Sequence, residues 1–548
     1  MAVATPPLSE YPLAWISLIP LWWTIDTIGS GKTSCNSSAI LSPAPAQIPS
    51  AQIFPAQLPL PTNRSVCGDV LQTAGMSLAW GVGYYGITLS WITGLHPLTW
   101  LGISWAGSVA IALTSWGAVI LWETLPIVLW AIGLGLLKRR FAFNRWVQLT
   151  LGTALWCSLD WIWSYSPLYA GSLALTQSPH NVWLLHLGRW VGSLGITAAI
   201  VLVNGLFTYA IRSFLSLYRS HHRGHYRSDR VWLTWAVSLL VLVHGCGFWI
   251  LQQSTSDRLE QSVTIGLIQG NIPTQIKLTS IGLQQSLQTY TQGYEALADL
   301  SVDVVFMPEG AIPLEWDSPY RERTALYKAI RRHQIPAWVS TFLPAQDGSD
   351  RYSQSLIALQ GSGAVTSRYD KVKLVPLGEY IPLEKVLSKL LRRLSLMEGS
   401  LAPGTEEQTF LTNWGQAAIA ICYEPTFNYI IQKQVQSGAE FILNPSNLDP
   451  YDTRLMAYQE ALNVMRAIEN DRWLAAVSNT GYSSLISPQG QVQWRSSPWQ
   501  LVIHPVTLYR RQTETLFTQG GNRIALLLLW GLFLGVLSTK SEKLTVEP

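Results

Sequence analysis

Runs of about 20 mainly apolar residues, the length that crosses a bilayer as a helix, recur through the first half of the chain and once at its end. The predicted spans are Pro12–Ile28, Leu71–Thr93, Ser104–Leu137, Trp146–Ser164, Leu187–Phe214, Val231–Leu251 and Ile524–Leu537. Between the first two runs, LSPAPAQIPSAQIFPAQLPLPT has neither helical nor strand periodicity and reads as a disordered Pro/Ala-rich loop on the cytoplasmic side. After Gln252 the pattern changes. Short β-branched runs at Ser262–Gln269, Val302–Met307, Ala337–Leu343, Gln416–Cys422, Glu440–Pro445 and Leu474–Asn479 alternate with helical spacing at Gln284–Leu300 and Thr453–Glu469. In the second helix the apolar positions are Met456, Leu462, Met465 and Ile468. The pattern predicts a polytopic α-helical membrane bundle over 1–252, with its Pro/Ala-rich loop at 29–70, an α/β sandwich over 255–515, and a closing transmembrane helix over 523–539.

Composition sharpens that division. Charged residues make up 13% of the chain, against about a quarter in soluble proteins. Of the 26 tryptophans, nineteen precede Gln252 and seven follow it, which places the lipid-facing part in the first half. The net charge of +4 is too small and too diffuse for nucleic-acid binding. The basic residues cluster instead in two inter-helix loops, at Lys138, Arg139, Arg140 and Arg145 and again from Arg212 to Arg230. The positive-inside rule assigns both loops to the cytoplasm, so Val231–Leu251 leads outward and the sandwich lies outside. Six spans ahead of an external sandwich put Met1 outside as well, and a further helix ahead of it would reverse that placement. The opening MAVATPPLSEY has no basic start and does not read as a signal peptide.

Cys35, Cys67, Cys157, Cys246 and Cys422 form no metal-ligand spacing, and no metal or other cofactor is expected. Cys157 and Cys246 sit in apolar runs, as core residues do; Cys422 is the one thiol of the polar half. Three strand-end segments carry the candidate chemistry: VVFMPEGAIP with Glu309, RYDKVKLVPLGEYIPLE with Lys371, Lys373 and Glu379, and AIAICYEPTF with Cys422, Tyr423 and Glu424. Each alone has a plain structural account: a helix-capping carboxylate, a solvated basic turn, a buried core thiol. Together they supply what acyl transfer through a thiol requires, namely a nucleophile, a base for its proton and a cation for the developing oxyanion. The separations of 62 and 51 residues are long enough for adjacent strands of one sheet to bring the three together.

The order PE…K…CYE resembles the nitrilase superfamily, whose triad is Glu, Lys and Cys. More closely, QGNIP, MPEGAIP, YDKVKLVPLGEYIPLE, ICYE, SNTG and SPQG resemble the apolipoprotein N-acyltransferases, and the likeness extends over nearly the whole chain. The resemblance implies a nitrilase-like (αββα) sandwich with Cys422 as nucleophile, Glu309 as general base and Lys371 as oxyanion stabiliser. Lys371 rather than Lys373 matches the family lysine, two residues after Tyr369 and eight before Glu379. Glu379, Tyr423 and Glu424 match supporting positions. The implied donor is a phospholipid and the implied acceptor the amino group of a diacylglyceryl-cysteine at an apolipoprotein N-terminus. The implied location is the bacterial inner membrane, with the sandwich in the periplasm.

The chain departs from that pattern at Leu278, where the family carries tryptophan, and at Ser446–Asp452. The family's first helix is also missing, and the Pro-rich loop is additional. The stretch from Leu383 to Leu396 puts Lys385, Lys389, Arg392 and Arg393 on one helical face and Val386, Leu390 and Leu394 on the other. It reads either as a membrane-surface helix or as an ordinary surface helix of the sandwich. The same triad would serve a membrane-tethered nitrilase-type amidase, for which six or seven helices are an excess. A catalytically dead membrane scaffold is disfavoured by the intact triad. Asp160, Glu123 and Arg189, the main polar residues at membrane depth, are too few for a transport path.

Overall fold

The computed structural model describes residues 1–27, 66–141, 143–220, 226–253, 257–317, 319–376, 378–380 and 400–541. The Pro/Ala-rich segment, apart from 66–70, and the whole Leu383–Leu396 stretch lie outside the described residues.

The first half consists of helices α1 (Ile19–Thr27), α2 (Val66–Thr88), α3 (Trp105–Arg140), α4 (Arg145–Trp163), α5 (Val182–Leu185), α6 (Gly188–Ser220) and α7 (Tyr226–Gln252). Among the described residues, three helices are long and apolar enough to cross a membrane: α3, α6 and α7. Large apolar side chains such as Leu121, Leu129, Val241 and Leu242 point outward from α3 and α7 without protein cover, as lipid-facing residues do.

The first predicted span is not one helix. A 3₁₀ turn at Tyr11–Trp15 precedes the nine-residue α1, because Pro12 and Pro20 supply no backbone donor and interrupt the helical ladder. The segment still runs the length of the bundle. Thr5 meets Thr88 at one end, and Asp26 pairs with Lys138 and Arg212 at the other. Its irregular backbone is tolerated because it is enclosed by protein, where other groups satisfy it. Asn204 Oδ1 accepts from Leu18 N at 2.7 Å, and Trp22 Nε1 donates to Val201 O at 3.1 Å.

The second half is a sandwich of two six-stranded sheets. One has the order β12-β1-β2-β3-β4-β5 and the other β11-β10-β9-β8-β7-β6. The strands are β1 (Ser262–Gln269), β2 (Val304–Phe306), β3 (Ala337–Pro344), β4 (Tyr352–Leu359), β5 (Val365–Asp370), β6 (Phe410–Thr412), β7 (Gly415–Ile419), β8 (Phe441–Ser446), β9 (Leu474–Ser478), β10 (Ser484–Ile486), β11 (Val492–Arg495) and β12 (Val502–Tyr509). The predicted runs at Val302–Met307 and Gln416–Cys422 shorten to β2 and β7, and the residues shed from their C-terminal ends enter the turns that carry Glu309 and Cys422.

Alternating side chains divide the sandwich into layers. Ile265, Leu267, Phe306 and Trp338 of the first sheet meet Ile419, Phe441, Leu443 and Val477 of the second. Helices α9 (Ser280–Ala298) and α10 (Ala325–His333) cover the first sheet's outer face through Tyr290, Tyr294 and Ile330. The second sheet's outer face, with Ala418, Ala420, Ile442 and Leu474, is covered by α11 (Asn428–Gln436) and α12 (Thr453–Asn470) and forms one apolar cluster with the membrane bundle. The chain closes with α13 (Leu516–Gly520) and the apolar α14 (Arg523–Ser541).

Helix α12 is buried on all sides, since it lies between sheet and bundle. Met456, Leu462, Met465 and Ile468 are in the core as the periodicity predicts, yet Gln459, Asn463, Arg466 and Glu469 are buried too. Glu469 explains part of this. At Gly192 the backbone of α6 leaves helical geometry, with φ at +63°. The break frees the N–H of Ser193, which donates to Glu469 Oε1 at 2.8 Å. Beside it, Arg189 donates to Asp471 Oδ1 at 2.6 Å and to Pro488 O at 2.9 Å, and Arg511 also reaches Asp471 Oδ1, at 2.8 Å. Polar bonds thus fix the sandwich on the bundle in one orientation.

Arg189→Met removes charge-assisted bonds worth about 1.5–3 kcal/mol and leaves Asp471 with Arg511. Asp471→Asn leaves two buried guanidinium groups facing a neutral amide, and should lower the thermal unfolding midpoint of the detergent-solubilised protein further than Arg189→Met. Equal midpoints for both variants and the parent would remove this network as the docking constraint.

Candidate active site

Glu309, Lys371 and Cys422 meet at one end of the sandwich. The expectation that adjacent strands of a single sheet join them is corrected by the topology. Glu309 follows β2 and Lys371 follows β5, two strands of the first sheet separated by β3 and β4, while Cys422 follows β7 of the second sheet. The site is therefore closed across the sandwich rather than along one sheet.

Lys371 is the centre of the arrangement. Its side chain is fully buried, and Nζ donates to Glu309 Oε1 at 2.7 Å and to Glu379 Oε1 at 2.5 Å. Burial alone would lower its affinity for the proton, but the carboxylates of Glu309 and Glu379 outweigh burial and hold the ammonium well above the ordinary lysine range. Glu379 is itself raised by burial, against the pull of Lys371. Its second oxygen accepts from Val375 N at 2.8 Å, which folds the LGEY turn back onto the lysine. Glu309 Oε2 accepts from Asn447 N at 3.0 Å, so both carboxylate oxygens are held.

Cys422 occupies a left-handed backbone conformation, with φ at +59°. For a residue with a Cβ this costs about 1 kcal/mol or more and persists only where the surroundings impose it. Here they do: Cys422 N donates to Pro445 O at 2.8 Å, and Cys422 O accepts from Gln459 Nε2 at 2.6 Å and Asn444 Nδ2 at 3.2 Å. The thiol lies 3.8 Å from Asn447 O. Burial pushes it up, the Glu309 carboxylate adds to that, and Lys371 opposes both. An apolar group of Leu448, Leu455, Met456, Trp91 and Tyr451 packs around it.

Glu424 joins two of the catalytic segments. One oxygen accepts from Val372 N at 2.6 Å and Lys373 N at 3.0 Å; the other accepts from Ile421 N at 2.6 Å and Tyr369 Oη at 3.2 Å. Burial nevertheless pushes its carboxyl up to about 7, against those backbone donors. Tyr423 points the other way, its hydroxyl donating to Leu374 O at 3.2 Å and Pro167 O at 3.4 Å, which ties the site to the loop after α4. Lys373 also leaves the site: its ammonium lies 4.9 Å from the Phe427 ring centre.

Two residues escaped the sequence reading. Asn447, whose N–H and carbonyl reach Glu309 and Cys422, acts through its backbone, which no side-chain pattern reveals. Lys277 ends the one-turn helix α8 (Thr274–Lys277), is only 5% exposed, and donates from Nζ to Glu309 O at 2.8 Å. A lysine in QIKLTS is indistinguishable in sequence from a solvated one; the strand-end motif QGNIP just before it was the available signal. The departures noted in sequence frame the same region. Leu278 is half-exposed beside Lys277, Asp449 accepts from Thr274 N at 2.6 Å, and Tyr451 packs edge-on against Trp91 of the bundle at 5.1 Å. Among the described residues no cluster of His, Cys, Asp and Glu has metal-binding geometry.

The carbon-nitrogen hydrolase family model matches residues 264–513, the sandwich that carries these groups. Relatives similar along nearly the whole chain are each called apolipoprotein N-acyltransferase. The one from Synechocystis sp. is 35% identical over 96% of this chain and 96% of its own length. That from Nostoc sp. is 36% identical over 98% and 96%, and that from Thermosynechococcus vestitus 38% identical over 98% and 92%.

Glu424→Gln replaces one acceptor oxygen by a donor that faces backbone N–H groups, at a cost of about 1–3 kcal/mol for each donor left unpaired. Thermal unfolding should show that loss, and alkylation of Cys422 should speed up as its turn loosens and the burial that holds the thiol up is relieved. A variant with the parent's melting midpoint and alkylation rate would show that Glu424 does not hold the two segments.

Proposed function

The chain belongs to the apolipoprotein N-acyltransferases, and from that membership we propose how its own residues carry the reaction. It is a membrane-associated acyltransferase of the carbon-nitrogen hydrolase type, acting on a lipoprotein acceptor. The proposed donor is a phospholipid, and the proposed acceptor group is the free amine of an N-terminal diacylglyceryl-cysteine. The observation that carries the mechanism is the buried Lys371 ammonium, bonded at once to Glu309 and Glu379 beside Cys422.

Glu309 takes the proton of Cys422, and the thiolate sulfur attacks the carbonyl carbon of the donor ester. The carbonyl oxygen gains the charge, and Lys371 donates to it; groups of this kind typically contribute about 10²–10³ in rate. As the oxyanion collapses, the ester C–O bond breaks and the proton on Glu309 passes to the departing alkoxide. The acyl chain remains on sulfur as a thioester and the lysophospholipid leaves. The acceptor amine then attacks the thioester carbon, Glu309 takes the amine proton, the C–S bond breaks, and the proton returns to sulfur. Glu379 keeps Lys371 cationic throughout, Glu424 holds the Lys371 and Cys422 turns together, and Tyr423 fixes the site to the bundle.

Both substrates are long-chain lipids, and each CH₂ drawn from the bilayer into water costs about 0.8 kcal/mol. A site beside the apolar group of Trp91, Leu448, Leu455 and Met456, above helices that cross the membrane, spares the chains that transfer. We place the chain in the bacterial inner membrane with the sandwich on the periplasmic side. The support is the cluster of Lys138, Arg139 and Arg140 at the last turn of α3, the end of the bundle away from the catalytic turns.

Incubation with phospholipid followed by intact-mass measurement should show one acyl adduct on the parent protein and none on Cys422→Ala, while Cys157→Ala and Cys246→Ala load normally. Glu309→Gln and Lys371→Ala should fail at loading, before any acceptor is present. Loading that depends on Lys373 instead of Lys371 would reassign the oxyanion cation, and transfer by Cys422→Ala would sink the mechanism.

For orientation, single cysteines at Asp350 and Arg140 can be probed in intact cells with a membrane-impermeant thiol reagent, in a background lacking the native cysteines. The Asp350 position should react directly, and the Arg140 position only after permeabilisation. The opposite pattern would put the sandwich in the cytoplasm.

A further inference from the structure

We propose that Lys277 is a second cationic positioning residue of this site, fastening the Glu309 turn through its backbone and lending positive charge to the Cys422 thiolate. The inference rests on the reading of Cys422 as the nucleophile and deepens it. Lys277 is one of only two lysine side chains buried among the described residues, the other being Lys371. Its ammonium donates to Glu309 O at 2.8 Å. The turn it grips is shaped to receive it. Gly310 has φ at +58°, and a Cβ there would lie 3.3 Å from Lys277 Cε and 3.4 Å from Nζ, so glycine leaves the passage along which the lysine reaches Glu309.

The charge has a reason to be there. The acidic groups that face Lys277 are Glu309, Asp449 and the thiol of Cys422. Burial lowers the ammonium to about 8, with those three groups opposing the loss. Lys277 is therefore cationic at neutral pH, and its influence on the thiolate is present below about pH 8 and fades above it. Around Cys422 the other charges are Glu309 and Glu379, which raise the thiol, and Lys371, which lowers it; Tyr451 also faces the sulfur, as a neutral phenol. Lys371 is already engaged by two carboxylates. A second cation on the Glu309 side works against the negative excess that, with burial, disfavours the thiolate. Removing that charge disfavours the thiolate wherever Lys277 is protonated, that is below about pH 8.

The test is the pH profile of iodoacetamide alkylation at Cys422, read by peptide mass spectrometry on the full-length protein in detergent. Lys277→Gln keeps an N–H donor for Glu309 O but no charge; Lys277→Met keeps neither; Lys277→Arg keeps both. Both neutral variants should slow labelling at neutral pH about tenfold, the difference closing above about pH 8, where the parent's Lys277 has lost its charge as well. A Lys277→Gln profile that overlays the parent's would reduce Lys277 to a structural donor and overturn the proposal. Should the neutral variants fail to fold, Lys277→Arg decides. Its cation does not titrate, so the parent's inflection near pH 8 should vanish, and persistence of that inflection would equally overturn the proposal. None of these outcomes depends on acyl transfer, whereas transfer by Cys422→Ala would defeat the underlying mechanism and leave the alkylation result standing.

Discussion

An ammonium group with no exposed surface sits between two sheets, and the rest of the site is arranged around keeping it there. Burying an unpaired charge costs several kcal/mol. Lys371 is tolerable because Glu309 and Glu379 accept hydrogen bonds from its ammonium and Cys422 lies within its field. That requirement draws together the turns after β2, β5 and β7, two from one sheet and one from the other. The second sheet is tied to the first by Asn447 N on Glu309 and by Glu424 accepting from Val372 N and Lys373 N. In the proposed mechanism, an oxyanion forming near Lys371 would meet a donor already desolvated and aimed, with little reorganisation left to perform.

Around that centre, polar groups fix backbone more than they touch reacting atoms. Glu424 accepts from both the lysine and the cysteine segments. Gln459 and Asn444 hold the carbonyl of Cys422 in a conformation its side chain disfavours. The helix that supplies Gln459, α12, also carries Glu469, which takes the N–H freed at the α6 break. One helix therefore braces the Cys422 turn on one side and grips the bundle on the other. The seat of the sandwich on the bundle and the geometry at the sulfur are coupled through a single rigid element.

Much of this was legible in the chain. Apolar run lengths marked the helical half, alternation of short β-branched runs with helical spacing marked the sandwich, and Glu309, Lys371 and Cys422 stood out as strand-end residues. Tertiary context overrode the pattern at several places. Pro12 and Pro20 broke the first span into pieces that survive because protein surrounds them. The strands β4, β5, β6 and β10–β12 were not predicted; in β4 the polar Ser353, Gln354 and Ser355 are buried and mask the strand pattern. Helical spacing picked out only the apolar positions of α12, whereas its polar Gln459, Asn463, Arg466 and Glu469 are buried as well, between sheet and bundle.

The sequence by itself determined which segments are apolar enough for lipid, which alternate as strands, and which residue types are available for thiol chemistry, because these depend on periodicity and composition along the chain. It did not determine that the triad closes across two sheets, that Asn447 serves through its backbone, or that Lys277 is buried beside Glu309 while Lys373 turns away to the Phe427 ring. Those are matters of which groups lose water together. Desolvation is set by neighbours distant in sequence, and a lysine carries no local mark of whether its ammonium will end in solvent or in the core.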